Sequence, residues 1–184
     1  MTLAQYQGDL LAQTREWTNL HDDELRRRAV KAAGEKDVGA LVSLTTAYLA
    51  HQGGSGVLTS SRTIEAYELG ARQFLEYATD QAVNLLRPGR HDAQGYINYM
   101  LASGRKPAGV QLKVAAAGCL YRALRWAGAT DADPFRDAKV PKDRTPGIVK
   151  RPLLRRRAGR RAGSRRRARE VPALRHRTCR VAHQ

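Results

Sequence analysis

Residues 61–78 read SRTIEAYELGARQFLEYA, and this stretch decides the fold class. Ile64, Tyr67, Ala71, Phe74, Leu75 and Ala78 recur at spacings of three and four, which puts one apolar stripe on an α-helix. Thr59, Ser60 or Ser61 supplies a hydroxyl to cap its start. Moving downstream, Pro88-Gly89 punctuates a loop, and Asp92 is expected to cap a helix carrying Tyr96, Ile97, Met100 and Leu101 as far as Gly104. Pro107 fits the first turn of a longer helix that buries Val110, Val114, Ala117, Leu120, Tyr121 and Leu124 and ends near Ala127. Upstream, Gly53-Gly54-Ser55-Gly56 breaks the chain after a helix over 37–51 with Val38, Leu41, Val42, Thr45, Tyr48 and Leu49 as its stripe. Two weaker helices precede it. One spans 3–20 with Leu3, Tyr6, Leu10 and Leu11 on one side, and the other runs from a cap at Asp22 or Asp23 to Gly34. No segment alternates with period two, no glycine-rich phosphate loop follows a strand, and no repeat recurs. The expectation is an all-α chain: a compact four-helix bundle with extra N-terminal helices.

Composition agrees. Hydrophobic residues are 42% of the 184 but aromatics only 6%, so the core is built from Leu, Val and Ala, which favours helices over strands. The net charge of +16 is unevenly placed. Lys150–Gln184 holds 14 Lys and Arg against one acid, Glu170, whereas residues 1–149 hold 19 basic and 16 acidic residues. The body is therefore nearly balanced, and the whole-chain charge says little about it. Cys119 and Cys179 lie too far apart to suggest a metal site or a disulfide framework. No metal or other cofactor and no small-molecule substrate is expected. No signal pattern or membrane-length apolar run is present, so the expectation is a cytoplasmic protein without a membrane partner.

The order of these features resembles the N-terminal core-binding domain (SAM-like) of the tyrosine recombinase, or phage integrase, family. The matching stretch runs from about Val38 to Arg151. Ser61-Arg62-Thr63-Ile64-Glu65-Ala66-Tyr67 with Phe74-Leu75 is similar to that family's second helix. Tyr96-Ile97 through Gly104 and Lys106-Pro107 resembles the third helix and its turn, and Val110 to Trp126 the fourth. Asp133-Pro134-Phe135 and Val140-Pro141-Lys142 resemble the exit into an interdomain linker, while residues 1–36 fall outside the match. The resemblance implies half of a C-shaped clamp around double-stranded DNA, with the second and fourth helices approaching the major groove. The implied DNA-binding residues are Ser61, Arg62 and Thr63 on one helix and Lys106, Gln111, Lys113 and Arg122 on the other. Helix N-termini and basic side chains suit phosphates, and Arg or Gln can read base edges. Glu65 and Glu68 are expected on the outer side of the first of these helices, where they would repel phosphate and restrict the usable surface.

A complete member of that family carries a second domain, in which a tyrosine hydroxyl attacks a DNA phosphodiester while arginines, a lysine and histidines stabilise the developing charge. The seven tyrosines here are 6, 48, 67, 77, 96, 99 and 121, none beyond the linker and most on inward helical positions read as core. No catalytic residue is assigned, and as it stands the chain is not expected to be an enzyme. The composition changes where the resemblance ends. Residues 153–184 are rich in Arg, Ala, Gly and Pro, which is what GC-rich codons encode, and they are expected to be disordered. Leu153-Leu154-Arg155-Arg156-Arg157, written CTA-CTC-CGA-CGC-CGA and read one base later, gives Tyr-Ser-Asp-Ala-Glu, which with Pro152 resembles the Pro-Tyr-Ser-x-x-Glu opening of the family's catalytic domain. A frameshift near codon 152 that truncates a recombinase accounts for both facts. Reading the gene tests it, because a shifted frame without an Arg…His-x-x-Arg…Tyr series removes the idea.

The sequence thus divides into an N-terminal extension (1–36), a DNA-clamping bundle (37–130), a linker (131–152, with prolines 134, 141, 146 and 152) and an Arg-rich tail (153–184). The expected function is DNA binding within site-specific recombination or integration, with duplex DNA and other recombinase protomers as partners. Two alternatives stand beside it: a nucleic-acid-binding protein acting nonspecifically through its basic tail, and a helical protein-interaction module.

Overall fold

The computed structural model describes residues 3–141. Among them, α1 (Leu3–Thr18), α2 (Asp22–Glu35), α3 (Val38–His51), α4 (Ser61–Asp80), α5 (Asp92–Ala102) and α6 (Pro107–Trp126) form an all-α bundle. A short 3₁₀ turn at Gly56–Leu58 separates α3 from α4, and no described residue is in a strand.

The centre of the bundle is α3. No Lys, Arg, Asp or Glu lies between Val38 and His51, and the helix is buried well beyond a single stripe: Leu41, Val42, Leu44, Thr45, Thr46, Ala47 and Ala50 are all inside. A helix that is apolar nearly all round must be covered on most sides, and α1, α2, α4 and α6 all pack on it. Asp37 caps it, accepting from the Ala40 N–H at 3.0 Å. Just before, Lys36 takes a left-handed backbone (φ 52°) that closes α2, and its Nζ donates to the Ala78 carbonyl near the end of α4 at 2.8 Å.

Two N-termini differ from the expectation. The N-cap of α2 is His21, with Asp22, Asp23 and Glu24 inside the first turn, where carboxylates oppose the helix dipole rather than cap. The N-cap of α5 is His91, and Asp92 instead braces the preceding turn by accepting from the Gly89 N–H at 2.7 Å. For α4, Ser60 is the cap, accepting from the Thr63 N–H at 3.2 Å.

The N-terminal helices belong to the same compact unit as the rest of the described chain. Trp17, absent from the apolar stripe expected of α1, is fully buried. Its indole N–H donates to Ser43 Oγ at 3.0 Å, and the Arg28 guanidinium lies 4.6 Å from its ring centroid. From α2, Leu25, Ala29, Ala32 and Ala33 join the main core. Residues 131–141, read above as the start of a linker, also pack on the bundle. Phe135 inserts among Phe74, Tyr96 and Tyr121, Asp133 pairs with Arg125 at 3.0 Å, and Thr130 Oγ1 donates to the Leu86 carbonyl at 2.7 Å. Proline keeps this segment from being helical, but its one aromatic side chain has a place in the core. The remainder of the linker and the Arg-rich tail lie outside the described residues.

Candidate nucleic-acid interface

The tightest pairing in the bundle joins α4 and α6. A Cβ placed on Gly70 would stand 2.5 Å from the Ala116 Cβ, so two small residues let the helices meet closely. Lys113 donates to Gln73 Oε1 one turn further along. In the other direction, Thr63 and Tyr67 share a cleft with Cys119 and Arg122. Residue numbers rise along α4 as they fall along α6, so the two helices are antiparallel.

This topology sorts the seven residues named from the sequence. Ser61 and Arg62 are exposed at the start of α4, and Thr63 is tied into the cap through a 2.8 Å contact with Ser60 Oγ. Arg122, exposed and late in α6, lies at this same end, 59 residues away in sequence. Their cleft, of about 250 Å³, is also lined by Tyr48 and the Gly53-Gly54-Ser55 loop. Lys113 lies midway, half-buried, and burial together with the nearby Arg105 charge lowers its pKa. Lys106, the N-cap of α6, and Gln111 are exposed at the far end. The structure therefore brings Thr63 and Arg122 together, ties Lys113 to Gln73 between the helices with Gln111 two residues before it, and separates Lys106 from Arg122 by most of the length of α6. That length is about 24 Å between Lys106 and Arg122 at 1.5 Å per residue.

Each end of this strip is the N-terminus of a helix without an acid in its first turn, α4 at one end and α6 at the other. At α6 no side chain caps the free N–H groups, whereas at α4 the Ser60 hydroxyl takes that of Thr63, and neither start carries a first-turn carboxylate. Of the two acids expected on the outer side of α4, Glu65 is exposed there as expected, in a groove that also includes Ser61, whereas Glu68 is drawn partly inward. Glu68 is half-buried and accepts from Thr46 Oγ1 at 2.9 Å, and with the exposed Glu65 it lines a groove facing Tyr6 and Asp9 of α1. Burial, then the charges of Glu65 and Glu68, raise the Tyr6 pKa, while its hydroxyl donates to the Thr59 carbonyl. The carboxylates thus sit toward α1, and α6 flanks the other side.

Two exposed residues near the far end were not singled out from the sequence. Arg105 is exposed beside Lys106, and its charge reaches both Tyr96 and Lys113. Its place directly before Lys106 was a visible signal. Tyr99 is 55% exposed, which the helical spacing of the tyrosines did not indicate. Cys119 is fully buried and its pKa is pushed up to about 11 by desolvation, against the lowering effect of Arg122, so it is a packed thiol and not a nucleophile. Among the described residues, no group of three or more His, Cys, Asp or Glu side chains is placed to hold a metal ion, and no helix is long and apolar enough to cross a membrane.

No family model, no curated protein and no solved structure matches this chain.

Proposed function

We propose that this chain binds double-stranded DNA along the α4–α6 strip, as the DNA-clamping part of a tyrosine-recombinase-like protein. One observation carries the reading: α4 and α6 pack antiparallel as a strip, with Arg122 near the start of α4 at one end, Lys106 at the start of α6 at the other, and no acid in the first turn of either helix. Its length matches about seven base-pair steps at 3.4 Å each. Arg122, Lys106 and the backbone N–H groups at the two helix starts suit phosphates, and Arg62 and Gln111, exposed beside them, suit base edges. The recombinase assignment rests on the resemblance over residues 38–151. The near-balanced charge of residues 1–149 implies modest, salt-sensitive affinity.

The test is fluorescence anisotropy on labelled duplexes at several salt concentrations, with the full chain and with a variant lacking 152–184 whose helicity is checked by circular dichroism. Binding that survives in the shortened chain and discriminates between duplex sequences supports the reading. Binding that vanishes with the tail and was indifferent to sequence assigns the activity to the tail. A shortened chain that binds no duplex at low salt favours a protein-interaction module.

A further inference from the structure

Three tyrosine rings form a ladder from the core to the surface beside the α6 end of the strip. Tyr96 is buried, with its ring centroid 5.1 Å from that of Tyr77. Tyr77, half-buried, lies 5.2 Å from Tyr99 at an interplanar angle of 40°. Tyr99 ends the ladder more than half exposed, so its neighbour Tyr77 supports it while much of its surface meets solvent. Its position is fixed by α5, whose last turn is closed by Ser103 donating through both its N–H and its Oγ to the Tyr99 carbonyl. Arg105, exposed just past the end of α5, donates its backbone N–H to the carbonyl of Met100, the residue after Tyr99, at 3.3 Å, and Lys106 is its sequence neighbour at the head of α6. Glu76 faces Tyr96, and Asp92 faces Tyr77, so the cations are not unopposed.

We infer that Tyr99 is a stacking platform for an unpaired nucleobase of DNA bound on the α4–α6 strip, with Arg105 holding the adjoining phosphate. The inference rests on the DNA-binding reading and names a ligand chemistry within it. A flat aromatic surface offers nothing to a base inside a duplex, whose faces are already stacked. It does offer a partner to a base that has left the stack, and a neighbouring cation supplies the backbone contact such sites need. The ladder gives the platform rigidity, because Tyr77, itself packed on Tyr96, restrains the ring before the base arrives.

The experiment uses the full chain and two otherwise identical duplexes, one fully paired and one with a single bulged 2-aminopurine. Because both duplexes meet the same basic tail, the ratio of their affinities isolates the bulge. The expected result is about 10-fold tighter binding of the bulged duplex with quenched 2-aminopurine emission. Tyr99→Ala is expected to abolish both preference and quenching, Tyr99→Phe to keep both, and Arg105→Ala to weaken the bulged complex and flatten its salt dependence. An unchanged thermal melt for Tyr99→Ala shows that the fold is intact. Binding of both duplexes with equal affinity, or a preference that survives Tyr99→Ala, overturns the platform and leaves the duplex reading standing. Binding of neither duplex overturns both.

Discussion

Gly70 on α4 and Ala116 on α6 meet so closely that position 70 has no room for a methyl group: a Cβ there would approach the Ala116 Cβ to 2.5 Å and the Lys113 Cα to 3.6 Å. Helix propensity alone favours alanine over glycine by about 1 kcal/mol. Overlap in a packed interface costs about 1–3 kcal/mol and opposes it. Gly70→Ala is therefore expected to lower the urea midpoint despite its better intrinsic propensity. It is also expected to weaken DNA binding, since it levers apart the two helices that carry the strip. A variant as stable as the parent would mean that α4 and α6 are not held at this distance.

Trp17 ties α1 to the centre of the bundle through complete burial and its bond to Ser43. Trp17→Ala is expected to cost about 3–5 kcal/mol in chemical denaturation, the range for removing a buried large aromatic. Trp17→Phe, which keeps most of the volume but loses the Ser43 bond, is expected to cost less. Equal stability of Trp17→Ala and the parent would make α1 a dispensable appendage.

Stability is expected to fall in alkali from about pH 9 upward. Cys119, with a folded pKa of about 11, and Tyr96, pushed up to about 12 first by burial, keep their protons in the native state after the unfolded chain has lost them. Tyr121 is raised in the same direction by burial and by Asp92. The native state then binds more protons than the unfolded state, so stability is full below pH 9 and declines as each folded pKa is approached. Lys113 works with the opposite sign, because its lowered pKa makes the unfolded chain the better proton binder, but it is one half-buried group against three buried ones. The Tyr96 and Tyr121 hydroxyls have no hydrogen-bond partner among the described residues, so Phe is expected at either position without loss at pH 7 and with a smaller alkaline decline. Thermal melts from pH 7 to 11.5 check both parts. A pH-independent melting temperature would contradict the burial of these groups.

Arg122 and Arg125 separate strip from scaffold. Arg125 is committed to Asp133 at 3.0 Å, whereas Arg122 is exposed on the cleft with Thr63. Arg122→Ala and Lys106→Ala are each expected to weaken duplex binding and to reduce the slope of log affinity against log salt by about one. Arg125→Ala is expected to change the slope little. Salt titrations of the three variants distinguish them, and a larger loss for Arg125 than for Arg122 would move the interface elsewhere.

The helices were legible in the sequence because their signals are local. The spacing of Ile64, Phe74, Leu75 and Ala78, the hydroxyl at Ser60 and the proline at 107 all act within a few residues of where they stand. The same local reading misjudged Asp92, since a carboxylate at a helix start serves equally well to cap the helix or to brace the turn before it. It passed over Trp17 because a single aromatic in a weak stripe declares nothing until its partner Ser43, 26 residues away, is in place. Phe135 was hidden for a related reason: prolines and charges around it describe a linker, and only the gap among Phe74, Tyr96 and Tyr121 shows that its ring is core.

By itself the sequence determined an all-α chain, the extents of its helices and the division between a balanced body and a basic tail, because hydrophobic period and charge are properties of neighbouring residues. Only the tertiary structure decided that α4 and α6 run antiparallel through the Gly70–Ala116 contact. That contact brings Thr63 to Arg122, turns Glu68 toward Thr46 and leaves Lys106 at the other end, while the packing around α5 leaves Tyr99 exposed. Those placements depend on how closely two helix surfaces fit, which is fixed by steric complementarity between segments far apart in the chain.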